Sequence, residues 1–69
     1  MTTYLVHFTA IEWDGDPRDY PEAANLPSEY TIEVEASDSS EATEIAGDRM
    51  SDNTGFLFCG ARSNVRRIG

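Results

Sequence analysis

Residues 33–50, EVEASDSSEATEIAGDRM, change within a few positions from an alternating pattern of apolar residues to a helical one. Residues 29–36 place apolar and polar side chains on alternate sides, which predicts a strand with one buried face and one wet face. The next apolar residues recur three or four positions apart and predict a helix with one apolar stripe: Ala42, Ile45, Ala46 and Met50. Asp38 with Glu41 has the spacing of a capping box, and residues 52–55, DNTG, predict the end of the helix.

Residues 3–13 and 55–68 predict the strands on either side of this joint. Residues 3–13 are rich in β-branched and aromatic residues. One side of this strand is wholly apolar (Tyr4, Val6, Phe8, Ala10) and the other is mixed (Leu5, His7, Thr9, Ile11, Trp13). Such a strand is expected at the centre of a sheet. Residues 55–61, GFLFCGA, predict a further strand with a bulge or bend at Gly60, and residues 62–68 either continue it or return as a fourth strand.

The element order is therefore β-β-α-β in a single small α+β domain, residues 1–69. We expect a three-stranded, or four-stranded, mainly antiparallel sheet of order 2-1-3 with one helix packed on one face. The helix should cover Tyr4, Val6, Phe8, Tyr30, Ile32 and Val34. The connection at 14–28 contains three prolines and, in DYPEAANLP, one short helical turn.

The charge balance restricts the possible partners. The chain has thirteen acidic residues and five basic ones, all of them arginine, which gives a net charge of −8. This charge disfavours nucleic acid and anionic membranes and favours basic protein partners. A single cysteine excludes an intrachain disulfide and fits a reducing compartment. No apolar run approaches a membrane span, so the expected location is cytoplasmic.

The chain offers little catalytic or ligand-binding chemistry. Cys59 with His7 as its base is the only nucleophile pair to weigh, and we expect Cys59 to be a small buried side chain instead. Residues 14–19, DGDPRD, lack the ligand spacing of a calcium loop because Arg18 stands at a ligand position. The prediction is a protein without catalytic activity, cofactor or metal.

The face of the sheet opposite the helix is the predicted protein-interaction site. It would carry Leu5, His7, Ile11 and Trp13, with Glu29, Glu33 and Glu35 at its rim. The competing interpretation is that the proline-rich connection folds back over Trp13. The arginines in the last eight residues (Arg62, Arg66, Arg67) are expected to pair laterally with Glu33 and Glu35.

YTIEVEASDSSEATEIAGDRM followed by GFLFCGARSNVRRI resembles small acidic ββαβ proteins encoded by bacteriophages of GC-rich, actinobacterial hosts. The similarity covers residues 3–13 and 29–68 and transfers no functional residue. It implies a protein that acts in the host cytoplasm by binding a host protein. The first functional hypothesis is accordingly a non-catalytic protein-binding accessory protein. The alternatives are a small homodimeric structural or virion component and an acidic mimic of nucleic acid that inhibits a host factor.

Overall fold

The computed structural model describes residues 1–15 and 18–69 of the chain. It contains strand β1 (Thr2–Trp13), a 3-10 helix (Pro21–Asn25), strand β2 (Tyr30–Ala36), helix α1 (Ser39–Thr54) and strand β3 (Phe58–Arg67). The sheet order is β2-β1-β3, and both outer strands run antiparallel to β1. This confirms the predicted ββαβ fold and topology. Residues 62–67 continue β3 without a break, so no fourth strand forms within the described ranges.

Helix α1 covers one face of the sheet and completes the only core of the described residues. Val6, Phe8 and Val34 are buried there, and Tyr4, Tyr30 and Ile32 are partly buried, as predicted. On the helix side, Ala42, Ala46 and Met50 are fully buried and Ile45 packs at the margin. Because alanine side chains are short, the helix axis lies close to the sheet.

Both ends of α1 are capped at the positions that the sequence predicts, by a side chain at the N-terminus and by the backbone at the C-terminus. Asp38 Oδ1 accepts a hydrogen bond from the Glu41 amide at 2.8 Å, which confirms Asp38 as the N-cap. The Glu41 carboxylate reaches back to Ser37, one residue earlier than in a standard capping box, and accepts from its amide and its hydroxyl. At the other end Gly55 adopts a left-handed conformation, φ 78°, and its amide donates to Ser51 O.

A bulge in β1 changes which side chains face the helix. Ala10 has φ 51°, the only left-handed backbone among the described non-glycine residues, and the β1–β3 register shifts between Thr9 and Glu12. The extra residue reverses the alternation, so Ile11 lies in the core with only 9% of its surface exposed, and Trp13 packs against that core. The prediction that Ile11 and Trp13 lie opposite the helix is therefore wrong, and Ala10, assigned from the alternation to the same side as Val6 and Phe8, is exposed.

The long connection folds back against the end of the sheet, as the competing interpretation proposed. Trp13 Nε1 donates to Pro27 O at 2.9 Å, and its ring meets Phe58 edge-on at 6.3 Å between centroids. The Ile11 amide donates to Ser28 O, which continues the β1–β2 pairing into the connection. The predicted helical turn is present as the 3-10 helix, with Pro21 in its first turn.

Candidate protein-interaction surfaces

The face of the sheet turned away from α1 retains part of the predicted site. We call it the open face; its side chains come from alternate positions of the three strands: Thr3, Leu5, His7, Thr9, Thr31, Glu33, Glu35, Arg62, Asn64 and Arg66. Of the predicted interaction residues, Leu5, His7, Glu33 and Glu35 lie there. Glu29 precedes β2 and places its Oε1 3.6 Å from His7 Nε2. Ile11 and Trp13 belong to the opposite side.

The register arranges the open face in rows that cross the sheet. Glu33, Leu5 and Arg66 form one row, and Thr31, His7 and Asn64 form the next. Leu5 and His7 are half-buried at the centre and line a shallow pocket of about 250 Å³, whereas the outer members of both rows are exposed. The open face thus has a partly apolar centre between an acidic strand, β2, and a basic strand, β3.

The predicted lateral ion pairs do not form across this face. Strand β1 separates the two outer strands, which places their backbones roughly 10 Å apart. No ion pair joins Arg62 or Arg66 to any residue within 1–15 and 18–69. Arg67 pairs with Tyr4 in the register and so lies on the helix side of the sheet. The opposite charges of the open face are therefore available to another molecule.

A second surface lies between α1 and β3, and we call it the α1–β3 groove. The helix packs more closely over β2 than over β3, so the β3 side of the core is only half covered. The resulting groove has a volume of about 430 Å³. Its floor and mouth are formed mainly by apolar side chains: Phe8, Leu57, Phe58 and Ala61.

The rim of the α1–β3 groove is acidic along the helix. Glu44 and Asp48, one turn apart on α1, line it together with Thr43 and Ser51. Leu57 lies at its mouth with 68% of its surface exposed, and it is one of four large apolar side chains that are exposed among the described residues. Gly47 keeps helix and strand close at this point, because a Cβ there would lie 3.2 Å from Phe58 Cζ. The sequence pattern does not predict this groove.

Cys59 lacks the two features of a catalytic thiol, a lowered pKa and a neighbouring base. It is exposed, which corrects its predicted burial, and its Sγ donates to Glu12 O at 3.4 Å. Desolvation raises the pKa of the Cys59 thiol, and the Asp14 and Glu12 carboxylates raise it further, so the reactive thiolate is disfavoured. His7 lies roughly 15 Å along β1 from Glu12, given the rise of an extended strand. Cys59 and His7 therefore do not form a nucleophile–base pair.

The described residues offer no clustered metal ligands. No group of three or more His, Cys, Asp or Glu side chains within 1–15 and 18–69 is placed to hold a metal ion. Asp16, which belongs to the calcium-loop interpretation of residues 14–19, lies outside the described residues. Among the helices of the described part of the chain, none is long and apolar enough to cross a membrane.

The two surfaces differ in shape and in charge. The open face is a charge-segregated sheet surface, and the α1–β3 groove is an apolar channel with an acidic rim beside β3, which pairs with β1 alone among the described strands. Comparison of the chain with protein-family models, curated proteins and solved structures finds no match. The identification of both surfaces therefore depends on their geometry alone.

Proposed function

We propose that this protein is a non-catalytic binding module that captures an extended, basic segment of a protein partner in the α1–β3 groove. The observation that carries the proposal is the groove itself, an apolar channel with the exposed Leu57 at its mouth and Glu44 and Asp48 along its rim. The apolar floor supplies contact area, and the two carboxylates select a partner of opposite charge.

The outer edge of β3 supports an extended occupant. In the order β2-β1-β3, this strand hydrogen-bonds to β1 alone among the described strands, so backbone donors and acceptors remain along its other side. A partner segment that pairs with this edge would direct alternate side chains toward the helix side, where the groove lies. Apolar residues would meet Phe58 and Ala61, and basic residues would meet the carboxylates on α1.

The net charge of −8 supports the same choice of partner, because it attracts basic segments over long range. The resemblance to phage proteins adds the proposal that the partner is a host protein. Phage origin, cytoplasmic location and mimicry of nucleic acid stay predictions.

Titration of the isotope-labelled protein with defined peptides tests the proposal. The probe is an extended peptide of about nine residues, roughly the length of β3, in which every second position carries valine and arginine in turn and the positions between them carry serine, so that both residue types face the groove. Two matched peptides replace every arginine by glutamate or every valine by serine. We expect saturable shifts of the β3 amides and of Glu44 and Asp48 with the first peptide only. Equal binding of the arginine–serine peptide would reduce the interaction to charge attraction and refute the groove.

Variants locate the site independently of the peptides. We expect Glu44→Arg, Asp48→Arg and Leu57→Ala each to weaken binding at least tenfold, which corresponds to about 1.4 kcal/mol. Glu22→Arg, in the exposed 3-10 helix, makes the same change of charge away from the groove and should leave the affinity within about twofold. An equal loss in the Glu22 variant would also contradict the proposal.

A further inference from the structure

We propose that the open face is the interface of a homodimer in which a second copy of this chain packs sheet against sheet. The occupant is identified by the pattern of charge, which is complementary to itself. In the row of Leu5, Glu33 lies on the β2 side and Arg66 on the β3 side. Near the row of Thr9, Glu29 precedes β2 and Arg62 lies on β3.

A two-fold axis between the stacked sheets and parallel to β1 brings unlike charges together. This rotation exchanges the two edges and keeps each row at its own level along the strand. Glu33 of each copy then faces Arg66 of the other, and Glu29 faces Arg62, which gives four intermolecular ion pairs. Leu5 and His7 meet their own counterparts at the centre, where the pocket of about 250 Å³ leaves room for interdigitation.

The other in-plane axis, perpendicular to the strands, is disfavoured by the same pattern. It would place β2 of one copy on β2 of the other, and the carboxylates of Glu33 and Glu35 would face carboxylates. Like charges in direct opposition destabilise an interface. The charges therefore choose one of two symmetric arrangements, both of which satisfy the geometry of an isologous contact.

The size of the open face sets the expected strength of the dimer. Strands about 4.8 Å apart that run for about seven residues present a face of roughly 14 by 23 Å. A pair of such faces, each taken as flat, buries roughly 640 Å², which is below the ~1,000 Å² of a stable specific interface and in the range of weak contacts. We therefore expect a reversible dimer that depends on protein concentration, and its surface is separate from the α1–β3 groove.

Charge reversal with complementation tests the dimer by analytical ultracentrifugation. We expect Glu33→Arg and Arg66→Glu each to raise the dimer dissociation constant at least tenfold. An equimolar mixture of the two variants should form a heterodimer, because each reversed residue then faces its matching charge. Failure of the mixture to associate would overturn the arrangement, and a wild-type protein that stays monomeric at every concentration would overturn the dimer itself.

The Glu33→Arg variant also separates specific pairing from overall repulsion. It makes the chain two units less negative than its −8, which by itself favours association. The proposal predicts dissociation, the opposite sign. Glu22→Arg makes the same change of net charge outside the open face and should dimerise at least as well as the wild type. Stronger association of both variants would show that net charge alone governs self-association.

Discussion

At Ala10 we expect glycine to be more favourable than valine, which is the reverse of their usual order in a strand. At an ordinary exposed strand position, valine is favourable and glycine unfavourable. Ala10 has φ 51° and is exposed, so its backbone conformation rather than its packing decides the outcome. We expect Ala10→Gly to be as stable as the wild type or more stable, and Ala10→Val to be the least stable of the three.

The magnitudes follow from opposing terms. A left-handed conformation destabilises a non-glycine residue by roughly 1–2 kcal/mol, which glycine avoids. Glycine in turn loses about 0.5–1 kcal/mol more conformational entropy than alanine on folding. The net gain for Ala10→Gly is therefore about 0–1.5 kcal/mol. Ala10→Val should lose at least about 1 kcal/mol, because a β-branched side chain tolerates positive φ poorly.

Urea denaturation of the three proteins measures this order, with the slope m checked for constancy. Arg67 supplies the matched control, because it is exposed at the end of β3, does not adopt positive φ and belongs to neither proposed surface. There we expect the ordinary order, with Arg67→Val more stable than Arg67→Gly. If Ala10→Val proved more stable than Ala10→Gly, the bulge would not exist, and Ile11 and Trp13 would return to the open face.

Two further predictions concern the ends of the core elements. Asp38→Ala should reduce the free energy of unfolding by about 1 kcal/mol, because the Glu41 amide loses its acceptor. An unchanged free energy of unfolding in a urea melt would assign the cap to another residue. Trp13→Ala should destabilise the fold by about 2–3 kcal/mol, below the 3–5 kcal/mol typical of a fully buried aromatic residue, because Trp13 is only half-buried. In the wild-type monomer we expect blue-shifted tryptophan fluorescence, and emission typical of an exposed tryptophan would contradict the contact of Trp13 with the connection at Pro27.

The elements that local sequence determines were predictable. The N-cap at Asp38, the apolar stripe of α1 and the end of the helix near Gly55 depend on residues within four positions of one another. The order β2-β1-β3 followed because a strand with one wholly apolar face and one mixed face belongs at the centre. The short 3-10 helix in the connection followed from the position of Pro21.

The bulge was missed although the sequence carries a signal for it. Apart from Leu5, apolar residues occupy even positions up to Phe8 and odd positions from Ile11 onward, and a change of phase in a strand indicates an inserted residue. Ala10, itself apolar, conceals the change because it continues the even series. A second register shift, between Glu12 and Trp13, lies beside Gly60, where a bend was predicted, and it accompanies the exposure of Cys59.

The α1–β3 groove was not predictable from the pattern, because it depends on where the helix lies across the sheet. A periodic stripe shows which residues of α1 turn inward but not which strand they meet. The small side chains of Ala42 and Ala46 are a partial signal, because a narrow stripe cannot cover three strands. Glu44 and Asp48 lie off that stripe, and only the tertiary structure places them beside Leu57 and Phe58.

The two proposed surfaces are compatible, and together they imply a bivalent particle. A dimer formed through the open face buries the side of each sheet that α1 does not cover, so both α1–β3 grooves remain on the outside. The two-fold axis places them on opposite faces of the particle, which therefore presents two sites to a partner that repeats its basic segment. Such a partner gains avidity without any new contact, provided that its repeats span the thickness of the dimer. Glu33→Arg should abolish this gain and leave the affinity for a single peptide unchanged, whereas Glu44→Arg should weaken both, and a single-peptide affinity that fell in the Glu33 variant would show that the surfaces are not independent.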